Sequence, residues 1–244
     1  MKIALAIGGP YNGTASKVYE ALIEVGLDPA FIVYCFPPPQ RIDLLKPIST
    51  LKDILVWRIP LFVLKNKLRS WLPDVNIPVR YVRGINSPDF AQTLSDERPD
   101  VVVVLNCGIV GKKVCELFPS LLLNVHAGKL PDYRGRSNVE WAYLEDTPLV
   151  GTVHYIASGI DTGDIVYEEE LKKLNPPTTI EAIRNHAFDQ SFALVPKALK
   201  ALEDGKPPRR QLPTRTTRYT MHPFLVQVLF DKLSGRTAEK KTAS

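Results

Sequence analysis

Five consecutive residues, Val101-Val102-Val103-Val104-Leu105, constrain this chain more than any others. An unbroken apolar run, four of its five residues β-branched, introduced by Pro99-Asp100 is what a central parallel strand requires, because both of its faces lie under other elements. Around it, Lys2 to Ile7 is a short apolar run that ends at Gly8-Gly9. Ala15, Val18, Tyr19, Leu22 and Ile23 then keep helical spacing up to Gly26. Phe31 to Phe36, Val79 to Val82 and Leu121 to Val125 read as further strands, and Ser87-Pro88-Asp89 opens a helix with apolar positions at Phe90 and Leu94. The expected architecture is α/β, an open, mostly parallel Rossmann-like sheet with helices on both faces.

Regular winding stops at Pro37-Pro38-Pro39, where neither a helix nor a sheet interior can continue. Residues 37 to 77 form an expected insertion whose leucines, Trp57, Phe62 and Trp71 are interleaved with basic residues. Lys52, Arg58, Lys65, Lys67 and Arg69 against Asp53 concentrate +4 of the net +5 charge between residues 51 and 72. Two readings compete: a basic amphipathic surface for a membrane or partner, and a helical hairpin packing on the core. Packing is favoured, since amphipathic helices mostly cover cores. Further on, Ile165 to Leu171 alternates as a strand. Thr178 with Glu181 forms a capping box for a long helix running to Gly205, which Pro196 should kink. This organisation predicts a catalytic domain over 1–205 with the insertion inside it. A C-terminal extension, 206–244, should add a short helix from Phe224 to Leu233 and a flexible tail.

At 244 residues, with 45% hydrophobic and 23% charged side chains, composition is that of an ordinary globular chain, and no apolar run approaches a membrane span. The apolar start is too short for a secretory leader, so a cytoplasmic location is expected. Cys35, Cys107 and Cys115 show no paired metal spacing and read as free, mostly buried thiols.

The chemistry concentrates between Asn124 and Ile165. Asn124 and His126 stand two apart at a strand end, so both side chains leave the same side of the chain. An amide donor and an imidazole converging on one point suit an oxyanion, with histidine also able to carry protons near neutral pH. Asp161 sits in Gly159-Ile160-Asp161-Thr162-Gly163, where small neighbours permit close approach of a ligand. A carboxylate there orients the imidazole or takes a proton from a nucleophile. The alternatives are structural Asn-x-His, an isolated aspartic-protease-like Asp-Thr-Gly, and metal binding by His126, His154 and Asp161. Nothing supplies the short ligand spacing of a metal site, and no Ser or Cys sits on a nucleophile turn. Acid–base acyl transfer without a covalent intermediate is preferred, and no metal is expected. The turn from Gly8 to Ser16, with Gly9, Asn12 and Gly13, reads equally as an anion cradle and as a tight connection.

The ordered string Asn124-Val125-His126, Leu130-Pro131-x-Tyr133-Arg134-Gly135, Thr152-Val153-His154 and Gly159 to Ile165 resembles the folate-dependent formyltransferase family. The resemblance is close over residues 101 to 167 and weaker in element order from 1 to about 205. It implies transfer of a formyl group from 10-formyltetrahydrofolate, the co-substrate, to a primary amine. Asn124 and His126 would stabilise the oxyanion, and Asp161 would position His126 and assist deprotonation of the amine. The pterin would lie among Leu105, Asn106, Cys107, Gly108 and Ile109 and the loop of Gly159, Ile160, Thr162, Gly163 and Asp164. Substrate would meet Gly9, Asn12, Gly13, Arg134 and His154. For His154 a structural role is equally open, and Arg134 either shapes its loop or meets an anion.

Among members, methionyl-tRNA formyltransferases carry an additional C-terminal β-barrel, whereas 39 residues follow Gly205 here with no run of alternating strands, so that member is not expected. Asn12-Gly13-Thr14-Ala15 only partly echoes the phosphate loop of glycinamide ribonucleotide formyltransferase. The insertion and the variable C-terminal segment fit the nucleotide-sugar N-formyltransferases better. The expected partner is therefore a small-molecule amine, an amino-sugar nucleotide first and glycinamide ribonucleotide as the alternative, with no nucleic acid. A non-catalytic folate- or nucleotide-binding relative is the remaining reading, and the apolar insertion is consistent with a homodimer.

Overall fold

The computed structural model describes residues 1–8, 13–35, 77–175, 179–212 and 217–234. Residues 37–76 of the expected insertion, including the contact surface at 51–72, the final tail, and Gly9 and Asn12 of the first turn lie outside them.

The strands are β1 (Ile3–Gly8), β2 (Phe31–Cys35), β3 (Val79–Val82), β4 (Val101–Leu105), β5 (Leu122–His126), β6 (Leu149–Tyr155) and β7 (Ile165–Leu171). Among the described residues they form one seven-stranded sheet in the order β3-β2-β1-β4-β5-β6-β7. The first five pair in parallel, whereas β6 and β7 are antiparallel to their neighbours. The sheet therefore reverses its winding between β1 and β4, the kind of switch point beside which open α/β sheets bind ligands at their carboxyl ends.

Strand alternation explains the continuous apolar runs. Ile3, Leu5, Ile7, Val101, Val103, Leu105 and Leu123 belong to one buried cluster with α1 (Gly13–Glu24), while Ala4, Ala6, Val102, Val104 and Leu122 belong to the other. Both faces are roofed, so both alternating sets must be apolar. The second face is covered by α2 (Pro88–Glu97) and α3 (Lys112–Leu117). Ser87 caps α2 by accepting from the Phe90 amide, and Pro88 occupies the first turn, where its missing N–H costs nothing. The first face is completed by α4 (Asn138–Leu144), α5 (Ile180–Phe192), α6 (Val195–Glu203) and α7 (Pro223–Leu233).

Two expectations are corrected here. The long helix is not continuous through a kink at Pro196: it stops at Phe192 and restarts at Val195, so Pro196 falls in a new first turn. The cap of α5 is Thr179, whose hydroxyl accepts from the Ala182 amide 3.0 Å away, rather than Thr178, which lies outside the described residues.

The extension is fastened across the carboxyl edge of the sheet. Arg209 forms an antiparallel bridge with Ile165, and Arg218 a parallel bridge with Gly135. Gly135 has φ +95, and a Cβ there would run into the Arg218 carbonyl, so this crossing needs glycine. The Arg218 guanidinium reaches both oxygens of Glu145 at 2.7 and 3.0 Å and lies over the rings of Tyr133 and Trp141. Leu229 of α7 is fully buried.

Candidate active site

The site forms where β4 and β5 end. Asn124 and His126 leave β5 on one side as their spacing requires, and His154 faces Asn124 across the antiparallel β5–β6 pair. Asp161 enters from the loop between β6 and β7. Its carboxylate lies between the two imidazoles, Oδ2 at 3.6 Å from His126 Nδ1 and Oδ1 at 3.6 Å from His154 Nε2.

Backbone carbonyls decide which imidazole nitrogens carry protons. The Tyr133 carbonyl lies 2.6 Å from His126 Nε2, and because a carbonyl only accepts, the proton belongs on Nε2 and Nδ1 turns toward Asp161. The Tyr155 carbonyl lies 2.8 Å from His154 Nδ1, so there the protons are reversed and Nε2 accepts from the Asn124 amide at 3.1 Å. One Asn124 N–H is thereby engaged. The other remains for a ligand oxygen. Burial of His154 drives its pKa down to about 4, with His126 adding to the fall and Asp161 opposing it, so the ring stays neutral.

Asp161 is held from every side. Its φ is +51, a left-handed conformation that aspartate tolerates better than most residues. Oδ2 accepts from the Gly135 amide at 2.9 Å, and its own carbonyl accepts from Arg134 Nε and from Gln211 Nε2, both at 3.1 Å. Gln211 also donates to the Gly163 carbonyl and accepts twice from Arg134. Gly163 is pressed so closely on the Tyr155 carbonyl that no Cβ would fit. Arg134 is buried, and its guanidinium donates to the Asp161 carbonyl and to Gln211, the contacts of a residue that shapes this loop.

Two cavities meet at Asn124. One, of about 310 Å³, is lined by Asn106, Cys107, Gly108, Ile109, Gly159 and Ile160 with Asn124, His154 and Asp161 at its floor. Leu105 is turned into the core, and Thr162, Gly163 and Asp164 build the loop behind the wall instead of lining it. The second, of about 680 Å³, runs between α1 and α5 and is lined by Gly13, Lys17, Asn185, Phe188, Asp189 and Phe192 together with Asn106 and Asn124. A Lys17–Asp189 ion pair of 2.6 Å stands among those lining residues. Among the described residues no group of three or more His, Cys, Asp or Glu is arranged to hold a metal ion. No described helix is long and apolar enough to cross a membrane.

Sequence reasoning missed Asn138 and Gln211. Asn138 Nδ2 lies 3.1 Å from His126 Nε2, and Gln211 ties three parts of the site together. Neither stands in a periodic or motif context, so no local signal marks them.

A sheet with this winding, an amide–imidazole–carboxylate cluster at its switch point and two cavities meeting on the amide together form one candidate site. The chain belongs to the formyl transferase family, whose pattern it matches over residues 55–199. Methionyl-tRNA formyltransferase of Methylacidiphilum infernorum is 31% identical over 202 residues, covering 82% of this chain and 58% of that protein. The chain spans about half the length of the curated relatives it matches. Glycinamide ribonucleotide transformylase 1 from Symbiobacterium toebii shares the fold with a TM-score of 0.58 at 17% identity, over 89% of this chain and 92% of that one. The formyltransferase PseJ from Anoxybacillus kamchatkensis, solved with UDP-4,6-dideoxy-4-formamido-L-AltNAc and tetrahydrofolate, gives 0.50 at 18% identity, over 90% and 86%.

Proposed function

We propose that this protein transfers the formyl group of 10-formyltetrahydrofolate to the primary amine of a small acceptor, an amino-sugar nucleotide first. The observation that carries the reading is the Asn124 amide, held by His154 at the junction of two cavities beside the Asp161–His126 pair. Pterin chemistry suits the smaller cavity. Ile109 and Ile160 expose apolar surface on its walls, 81% and 56% accessible, as a flat ring needs, and the polar floor lies beneath them.

The bound co-substrate supplies an electrophilic formyl carbon. Asn124 directs its second N–H to the formyl oxygen, where negative charge develops, from a geometry fixed before the reaction. The amine approaches from the α1–α5 cleft. Its departing proton meets two acceptors, the Asp161 carboxylate and His126 Nδ1, which face each other across 3.6 Å. Once His126 gains that proton, its Nδ1–H points at Asp161, so the charge formed is paired where it arises. The proton then passes to the folate nitrogen as its bond to the formyl carbon breaks, and tetrahydrofolate leaves with that nitrogen neutral. His154 remains neutral and holds the amide.

For the acceptor, the pair of aromatic rings at Phe188 and Phe192, 6.4 Å apart, and the polar groups of Asn185, Lys17 and Asp189 offer a platform with polar edges. That suits a sugar nucleotide. A methionyl-tRNA acceptor is the second reading, favoured by the name of a relative matched over 82% of this chain. Incubation with 10-formyltetrahydrofolate and amino-sugar nucleotides, glycinamide ribonucleotide or methionyl-tRNA, followed by folate release, separates them. Asp161→Asn should abolish release with folding intact; an unchanged rate would sink the assigned roles.

A further inference from the structure

Phe188 borders two compartments on the acceptor side of the site. Beyond the α1–α5 cleft, the same ring and Val125 line a separate cavity of about 400 Å³ with Arg136, Asn138, Glu140, Arg184, Thr220 and one wall of His126. The transfer chemistry above uses nothing in it except that imidazole.

Three groups there are incompletely satisfied among the described residues. Asn138 is only 7% exposed; its Nδ2 donates to the Gly135 carbonyl at 2.9 Å, but its Oδ1 is buried without a hydrogen-bond partner. A buried acceptor left unmet costs on the order of 1–3 kcal/mol, which a ligand donor would relieve. Arg136 is exposed, and its guanidinium has no ion-pair partner among the described residues. Arg184 commits Nε and Nη2 to Glu140 Oε1 and leaves Nη1 uncommitted. Glu140 balances one guanidinium, so the compartment keeps an excess of positive charge.

We infer that this compartment binds a phosphate of the acceptor together with the hydroxyl next to it. Guanidinium forks pair naturally with phosphate, and phosphate oxygens point in several directions, so one group serves both Arg136 and the free edge of Arg184. A planar carboxylate is satisfied by one fork alone. The neighbouring hydroxyl donates to Asn138 Oδ1. Asn138 Nδ2 lies 3.1 Å from His126 Nε2, and Asp161 faces Nδ1, so the phosphate is held across the imidazole from the proton-accepting side. This rests on the formyl-transfer reading for the ligand's identity and deepens it: the acceptor's phosphate is held in this compartment rather than in the α1–α5 cleft.

The test measures binding alone, with the full chain and no formyl donor, by chemical-shift titration with inorganic phosphate, glucose 1-phosphate and 2-deoxyglucose 1-phosphate. Glucose 1-phosphate should bind several-fold more tightly than the other two, and Arg136→Ala should weaken it at least fivefold. Arg136 is at the surface, so that variant keeps the fold, and the hydroxyl is tested on the ligand rather than at buried Asn138. Equal affinity for the deoxy compound, or undiminished binding by Arg136→Ala, overturns the inference. Binding as expected from a protein that formylates no amine would count against the function alone. Formyl transfer by a protein with no phosphate affinity would count against this compartment alone.

Discussion

His126 and His154 stand on neighbouring strands with rings 6.2 Å apart, nearly perpendicular, and both face Asp161 at 3.6 Å. Residue type, burial and carboxylate partner are shared. What separates them is one backbone carbonyl each, Tyr133 on Nε2 of the first and Tyr155 on Nδ1 of the second. The first ring is left with an acceptor facing the carboxylate, and the second with an acceptor occupied by Asn124. Chemical role follows from which nitrogen is committed to the backbone, not from proximity to the carboxylate.

The largest effect should come from breaking the pair on the acceptor side. His126→Gln should lower the single-turnover rate by roughly a thousandfold, within the usual range for loss of a proton-transfer group. Were His154→Gln to cost as much, the proposed division between the rings would fail. Stability against acid sharpens the contrast next. His154 has its folded pKa depressed from 6.5 to about 4, so below pH 6.5 the unfolded chain binds the extra proton first. Its contribution is thus complete above pH 6.5 and is lost as pH falls toward 4, by roughly 3 kcal/mol at most. Denaturant midpoints across that window should show the loss in the native protein and a flatter profile in His154→Gln.

A smaller effect is expected one layer out. Gln211→Ala strips partners from Arg134 and from the Asp161 and Gly163 carbonyls, which should cost roughly 2 kcal/mol. The turnover rate should fall with little change in donor affinity; a change confined to KM for the donor would contradict a role in positioning Asp161. Smallest of all, His154→Gln should slow turnover only about tenfold, because a glutamine carbonyl can still accept from the Asn124 amide.

How much of this was legible in the sequence divides along chain distance. The central parallel strands β1, β2 and β4 were readable because each is a continuous apolar run whose two faces enter two different clusters, as Val101 to Leu105 illustrates. The Asn124–His126 pairing was readable because strand geometry acts over two residues. The break before Pro196 was hidden because Ile183, Ala187, Leu194, Ala198 and Leu199 keep nearly helical spacing across it while the chain restarts. The tautomers were hidden because they depend on carbonyls, which every residue has. Gln211 was hidden because its partners lie fifty and seventy-seven positions away.

That last distance carries a consequence of timing. Asn124, His126 and His154 are in the chain well before Gln211 and Arg218 are synthesised; Gln211 ties down the Asp161 loop, and Arg218 braces Gly135, whose amide meets the Asp161 carboxylate. A nascent chain exposing only residues up to Gly205 has its sheet strands but not the latch, so amides of residues 159–163 should exchange faster there than in the finished protein. The proposed site is thus closed by the last of its parts to be made, since the backbone beneath the carboxylate gains its Gln211 contact only once the extension has emerged.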